Sequence, residues 1–97
     1  MAKYILLTNW TDQGIKNVKE SPKRLDTAKA LAESLKCKFE QFYMTIGAYD
    51  MVALIDAPDD EAIAKFVLSL GSAGSVRTTT LKAFPEASYR QIIGSVK

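Results

Sequence analysis

Apolar and polar positions along this chain follow two periods, and the changes between them mark out the elements. Residues 3–10 are β-rich and end in the polar Thr11-Asp12-Gln13-Gly14, which predicts a strand. Ile15 to Glu20 reads as a short helical turn. Ser21-Pro22 then reads as a helix start, with Ser as N-cap and Pro in the first helical position. Leu25, Ala28, Leu31, Ala32 and Leu35 recur at threes and fours and predict a helix to about Lys36 with one apolar stripe. Residues 38–46 predict a second strand. Gly47-Ala48-Tyr49-Asp50 is short enough for a hairpin connection to a third strand at 51–55. That strand is almost wholly apolar, as suits a central position covered on both faces. Pro58-Asp59-Asp60-Glu61 opens a second helix, with acids at its positive end and Ala62, Ile63, Phe66, Val67 and Leu70 on its buried face. Gly71 is placed to cap it. Residues 75–84, with Thr78-Thr79-Thr80, predict a fourth strand, and 86–96 a terminal helix.

The order β-α-β-β-α-β with a tail helix predicts one α+β domain over residues 1–97. It is of the ferredoxin-like class, an antiparallel four-stranded sheet with helices on one face. Two helices cover one sheet face, so a monomer needs the other to be polar. Strand alternation puts Ile5 and Leu7 on one side of the first strand and Tyr4, Leu6, Thr8 and Trp10 on the other. In the second strand it separates Phe42, Met44 and Ile46 from Phe39, Gln41, Tyr43 and Thr45. Neither side is a solvent face. The expected remedy is sheet-to-sheet packing of two subunits, as a homodimer or a higher multiple.

Composition narrows the chemistry. The 97 residues are 47% apolar and 25% charged with a formal net charge of +2, an ordinary globule without the concentrated basic patch of a nucleic-acid binder. Histidine is absent and cysteine occurs once. That excludes a disulfide framework, zinc sites of His and Cys, and imidazole catalysis. No run is long enough for a signal-peptide core or a membrane span, so a cytoplasmic location and no membrane partner are expected. Residues 14–38 carry seven bases against three acids, and residues 50–61 five acids and no base. Both read as solvated helix faces and a helix start. The acids at 59–61 are not a metal box, and no metal or other cofactor is expected.

Four segments are recognisable together: Thr11-Asp12-Gln13-Gly14-Ile15-Lys16, Ser21-Pro22-Lys23-Arg24, Gly47-Ala48-Tyr49-Asp50 and Val76-Arg77-Thr78-Thr79-Thr80-Leu81. In this order and spacing they resemble the GYD-domain family, named for the Gly, Tyr and Asp of the hairpin. The resemblance covers nearly the whole chain. It implies a dimeric α/β barrel and a family without an established activity. Relatives on the scaffold include cofactor-free oxygenases, haem-degrading enzymes, muconolactone-type isomerases and amino-acid-sensing regulator domains, and a shared fold does not choose among them. The haem-degrading enzymes use histidine, which is missing here.

The candidate ligand-binding set is Trp10, Tyr43, Thr45, Tyr49, Asp50 and Arg77. Trp10, Tyr43 and Thr45 are expected on one mixed aromatic and polar sheet face, either filling the dimer barrel or lining a pocket for a small aromatic or acyl ligand. Gly47, Tyr49 and Asp50 read structurally as a turn, with Gly at positive φ and Asp bonding nearby backbone. Functionally, Tyr49 and Asp50 read as a proton donor and acceptor at a pocket rim. Arg77 is placed to hold a carboxylate or to pair with an acid at a subunit edge. Gly71-Ser72-Ala73-Gly74-Ser75 lacks the residues of a phosphate loop and reads as a connection. Cys37 reads as a passive thiol. Three functions stand: a small-molecule-binding or accessory protein, a bare oligomerisation module, and a cofactor-free monooxygenase or isomerase of a small aromatic substrate. In the last, Tyr43 or Tyr49 would move protons and Arg77 would orient an anionic group.

Overall fold

The computed structural model describes all residues, Met1–Lys97. Its elements are β1 (Ala2–Trp10), α1 (Asp12–Lys16), a 3-10 turn at Val18–Glu20, α2 (Ser21–Ser34), β2 (Lys38–Met44), β3 (Met51–Ala57), α3 (Asp60–Ser72), β4 (Val76–Ala83) and α4 (Glu86–Gly94). The sheet order is β2-β3-β1-β4 with every neighbour antiparallel, the ferredoxin-like α+β arrangement read from the sequence. The second strand stops at Met44, short of the expected Ile46, and the third runs on to Ala57.

Helix ends depart from expectation in several places. The short helical turn expected at 15–20 is instead α1 at Asp12–Lys16, begun by Thr11, whose side chain accepts from Gly14 N–H, with the 3-10 turn after it. The 3-10 turn runs straight into α2, so the N-cap position falls to Glu20, without a side-chain bond, and Ser21 is already helical. At the other end Leu35 is the cap and Lys36 takes the left-handed conformation at φ 62°. Lys36 N–H donates to Glu33 O and Cys37 N–H to Ala32 O, the paired bonds of a Schellman ending. In α3 the helix continues through Gly71. Gly74, at φ 90°, ends it and donates to Gly71 O. Helix α3 begins at Asp60, so Pro58 precedes the helix rather than opening it. The acids stand at its start as expected, and Asp59 is the N-cap, accepting from Ala62 N–H at 2.8 Å.

Helices α2 and α3 lie on one side of the sheet. Ala28 and Ala32 of α2 and Ile63 and Phe66 of α3 share a buried cluster with Tyr4, Leu6, Ala53, Ile55 and Ala57. Phe66 is fully buried and meets Phe39 edge-on, with ring centroids 5.9 Å apart. That contact is possible because β2 carries a bulge between Phe39 and Gln41. The extra residue, Glu40, puts Phe39 on the same face as Phe42. Simple alternation had separated them. Helix α4 makes no extensive contact with the rest of the chain, and the molecule extends over 50 × 31 × 19 Å.

Candidate functional site

The register decides which residues share a face. Tyr43 sits opposite Val52, Val52 opposite Leu7 and Leu7 opposite Thr79, one row across all four strands. The adjacent row is Gln41, Leu54, Ile5 and Leu81. Both rows lie on the side without helices. Tyr4, Leu6 and Thr8 are buried under the helices, and Trp10 follows them in alternation. The expected grouping of Trp10 with Tyr43 on one face is therefore corrected. Strand β1 is apolar on both sides, so its own pattern could not say which side pairs with Tyr43. The uncovered face is apolar as expected, but it is built from Ile5, Leu7, Val52, Leu54, Leu81 and Tyr43. The last two are 45% and 53% exposed. Charge rims it: Lys3 Nζ meets Asp56 at 2.8 Å and Lys38 meets Glu40 at 3.6 Å. In the first pair the hydrogen bond between them raises the Lys3 ammonium pKa and lowers the Asp56 carboxyl pKa.

The Gly47-Ala48-Tyr49-Asp50 segment is a backbone junction. Gly47 has φ 149°, and no atom stands within 4 Å of where its Cβ would lie, so the backbone angle alone favours glycine. Asp50 Oδ2 accepts from Trp10 N–H at 2.9 Å. Asp50 N–H donates to Thr8 O at 3.0 Å and Asn9 Oδ1 at 3.2 Å. Thr45 Oγ1 donates to Tyr49 O at 2.6 Å, and Thr45 N–H to Asp50 O at 2.8 Å. Thr45 thus closes the turn onto the Tyr49 and Asp50 carbonyls, and the Asp50 carboxylate alone reaches the Trp10 backbone, closing β1 onto the hairpin. The Trp10 Nε1–H is buried without a partner. Arg77 is exposed on edge strand β4, backbone opposite Asn9, with its guanidinium near Gly71 toward the end of α3. It pairs with no carboxylate of this chain. The six expected residues do not converge on one pocket.

Three features were not anticipated. Thr11 locks the end of β1 to the loop before β4. Its N–H donates to Ser75 O at 3.1 Å, its Oγ1 donates to Gly74 O at 2.6 Å, and the same Oγ1 accepts from Gly14 N–H. Tyr4 donates its hydroxyl to Asp60, which also takes Lys82 Nζ at 3.0 Å. Burial first and the Asp60 bond second push the Tyr4 phenol up to about 12, while the Tyr4 and Lys82 bonds lower the Asp60 carboxyl. Finally, a cavity of about 360 Å³ lies between α2, α3 and the covered face of the sheet, not on the open face. The small Ala28 and Ala53 leave this room, and no sequence period reports it. Cys37 is buried, and desolvation raises its thiol pKa, which suits a passive role. No three His, Cys, Asp or Glu side chains gather to hold a metal, and no helix is long and apolar enough to cross a membrane.

With this geometry in view, the GYD domain family model matches residues 4–93. The chain belongs to the GYD-domain family. It is 33% identical over 88 residues to the glutamine synthetase and cystathionine beta-lyase binding protein of Thermus thermophilus, a match covering 90% of this chain and 93% of that one. The fold of this GYD domain is similar to two solved structures. A crystallised FFRP protein aligns at a TM-score of 0.62 and 14% identity, over 87% of this chain and all of that one. The leucine response regulatory protein of Mycobacterium tuberculosis aligns at 0.57 and 18%, over 87% of this chain and 51% of that one. At these identities they bear on the fold alone.

Proposed function

We propose that this GYD domain is a cytoplasmic accessory protein that acts by binding other proteins and works as a homodimer joined through its open sheet face. The observation that carries the dimer is the face itself. Four strands about 4.8 Å apart, each some seven residues long at about 3.3 Å per residue, make a plane of roughly 20 by 23 Å. Its centre is Ile5, Leu7, Val52, Leu54 and Leu81, and its charges are at the rim. Patches of several hundred Å² mark interaction surfaces in monomers. A flat sheet with an apolar centre is self-complementary about a two-fold axis. A homologue at 33% identity is named for binding two enzymes, which supports an enzyme as the further partner. The hairpin supports the same reading, because Asp50 and Thr45 spend their polar groups on backbone.

Light scattering at micromolar concentration tests the dimer. Wild type is expected at twice the chain mass and Leu7→Glu at the chain mass with an unchanged far-UV spectrum. A monomeric wild type overturns the proposal. The accessory role is tested by interferometry against glutamine synthetase from the same cells. Saturable binding supports it, and none by either that enzyme or cystathionine β-lyase refutes it.

A further inference from the structure

The cleft on the helix side has the features of a ligand site, independent of the dimer proposed above. Its walls are Leu25 and Leu31 of α2, Leu70 near the end of α3, and Val76. Its floor includes Phe42 and Met51. At about 360 Å³ it falls within the roughly 300–1,000 Å³ of small-molecule pockets. One cation belongs to it. Arg24 is half-buried, lines the cleft and pairs with no carboxylate. Its Nη1 donates to Asn17 O at 3.0 Å and its Nη2 to Gly14 O at 3.2 Å. A guanidinium has five N–H groups, so three remain, on a head group already held in place by two bonds. Thr8 adds a buried hydroxyl on the floor, with no hydrogen bond to the chain; Ser21 and Ser75 add two more near Arg24 and Val76.

We propose that this cleft binds a small amphipathic monocarboxylate, its apolar body over the sheet floor and its carboxylate on Arg24. A carboxylate is the group that a planar, pre-positioned guanidinium recognises best, and it supplies the counter-charge this half-buried arginine lacks within the chain. The apolar walls exclude a sugar or a multiply charged ligand, whose desolvation they could not offset.

The test uses the intact protein with two probes of one shape, phenylbutyrate and the uncharged phenylbutyramide, read by calorimetry and by amide shifts in two-dimensional NMR. The acid is expected to bind wild type more tightly than the amide and to shift residues of α2, Thr8 and Met51. Arg24→Gln should weaken the acid by about tenfold or more, the size of a charge-assisted bond, and leave the amide unchanged. Ala28→Leu should abolish both. Should Arg24→Gln unfold, Arg24→Lys keeps the charge and loses the fork. It is expected to bind the acid several-fold more weakly than wild type does. Equal binding of acid and amide to wild type overturns the proposal, as does no binding of either at millimolar concentration. Shifts confined to the open sheet face overturn it too. Light scattering on the same samples keeps this outcome separate from the dimer.

Discussion

Asp50→Ala decides between the two readings of the hairpin. In the structure Asp50 Oδ2 is the acceptor for Trp10 N–H at 2.9 Å. Removing the carboxylate leaves that donor at the end of β1 without a partner. A hydrogen bond to a charged group contributes about 1.5–3 kcal/mol when desolvated. Both residues are half-buried here, which brings the expected loss to about 1–2 kcal/mol after solvent competition. For a domain of this size each kcal/mol moves Tm by about 4–8 °C, so the variant should melt roughly 5–15 °C lower. Asp50→Asn keeps an acceptor oxygen and should lose less than half as much. Calorimetry at one fixed protein concentration checks this, since association makes Tm concentration-dependent. A variant melting within about 1 °C of wild type refutes the structural assignment and returns Asp50 to the list of groups free to meet a ligand.

Three further outcomes follow from the same geometry. Gly14→Ala would place a Cβ 2.0 Å from Ser75 O and 2.9 Å from Ser75 C, both backbone. A loss of about 1–3 kcal/mol or more is expected in urea unfolding, and an unchanged midpoint contradicts the contact. Lys36→Gly should stabilise by about 0.5–1 kcal/mol, the left-handed strain of an L-residue less the added freedom of glycine when unfolded; chemical denaturation measures it, and a loss refutes the Schellman reading. Tyr4→Phe tests the Asp60 pair through pH. The Asp60 carboxyl is lowered in the fold, so its contribution is present above the unfolded value near 4 and lost as pH falls through the folded one. The Tyr4 phenol is raised to about 12, so its contribution is present below about 10 and lost as pH climbs toward 12. The gap in Tm between wild type and Tyr4→Phe should therefore hold from pH 5 to 9 and narrow at both ends. A gap independent of pH means the hydroxyl acts by packing alone.

Much of the fold was legible because each element has its own period. The stripe Leu25-Ala28-Leu31-Ala32-Leu35 can only be a helix face, and the short Gly47–Asp50 link leaves β2 and β3 little choice but to pair. What was not legible is register and depth. Nothing in Tyr4-Ile5-Leu6-Leu7-Thr8 says which side the helices cover, since both are apolar. The bulge at Glu40 inverts one residue of the β2 pattern, and its evidence is spatial: Phe39 meets Phe66 edge-on, 27 positions further along the chain. Gly71 and Gly74 are equally good helix stops by type. Gly74 ends α3 where Thr11 bonds its carbonyl and that of Ser75.

The four segments that carry the family resemblance meet at one end of β1. Thr11 and Gly14 close on Gly74 and Ser75, Asp50 holds Trp10 N–H, and Arg24 reaches back to Gly14 O. Most of these bonds have a backbone group as one partner, so their first effect is to fix where β1 stops and where β4 starts. The same convergence sets the lining of the cleft, to which Ser21, Arg24 and Val76 belong. The residues that recognise the family are therefore junction residues first, and any selectivity of the cleft depends on that junction staying rigid. A substitution such as Gly14→Ala should then disturb Arg24 and the cleft as well as stability, while Leu7→Glu on the opposite face should change the oligomer and leave the cleft intact.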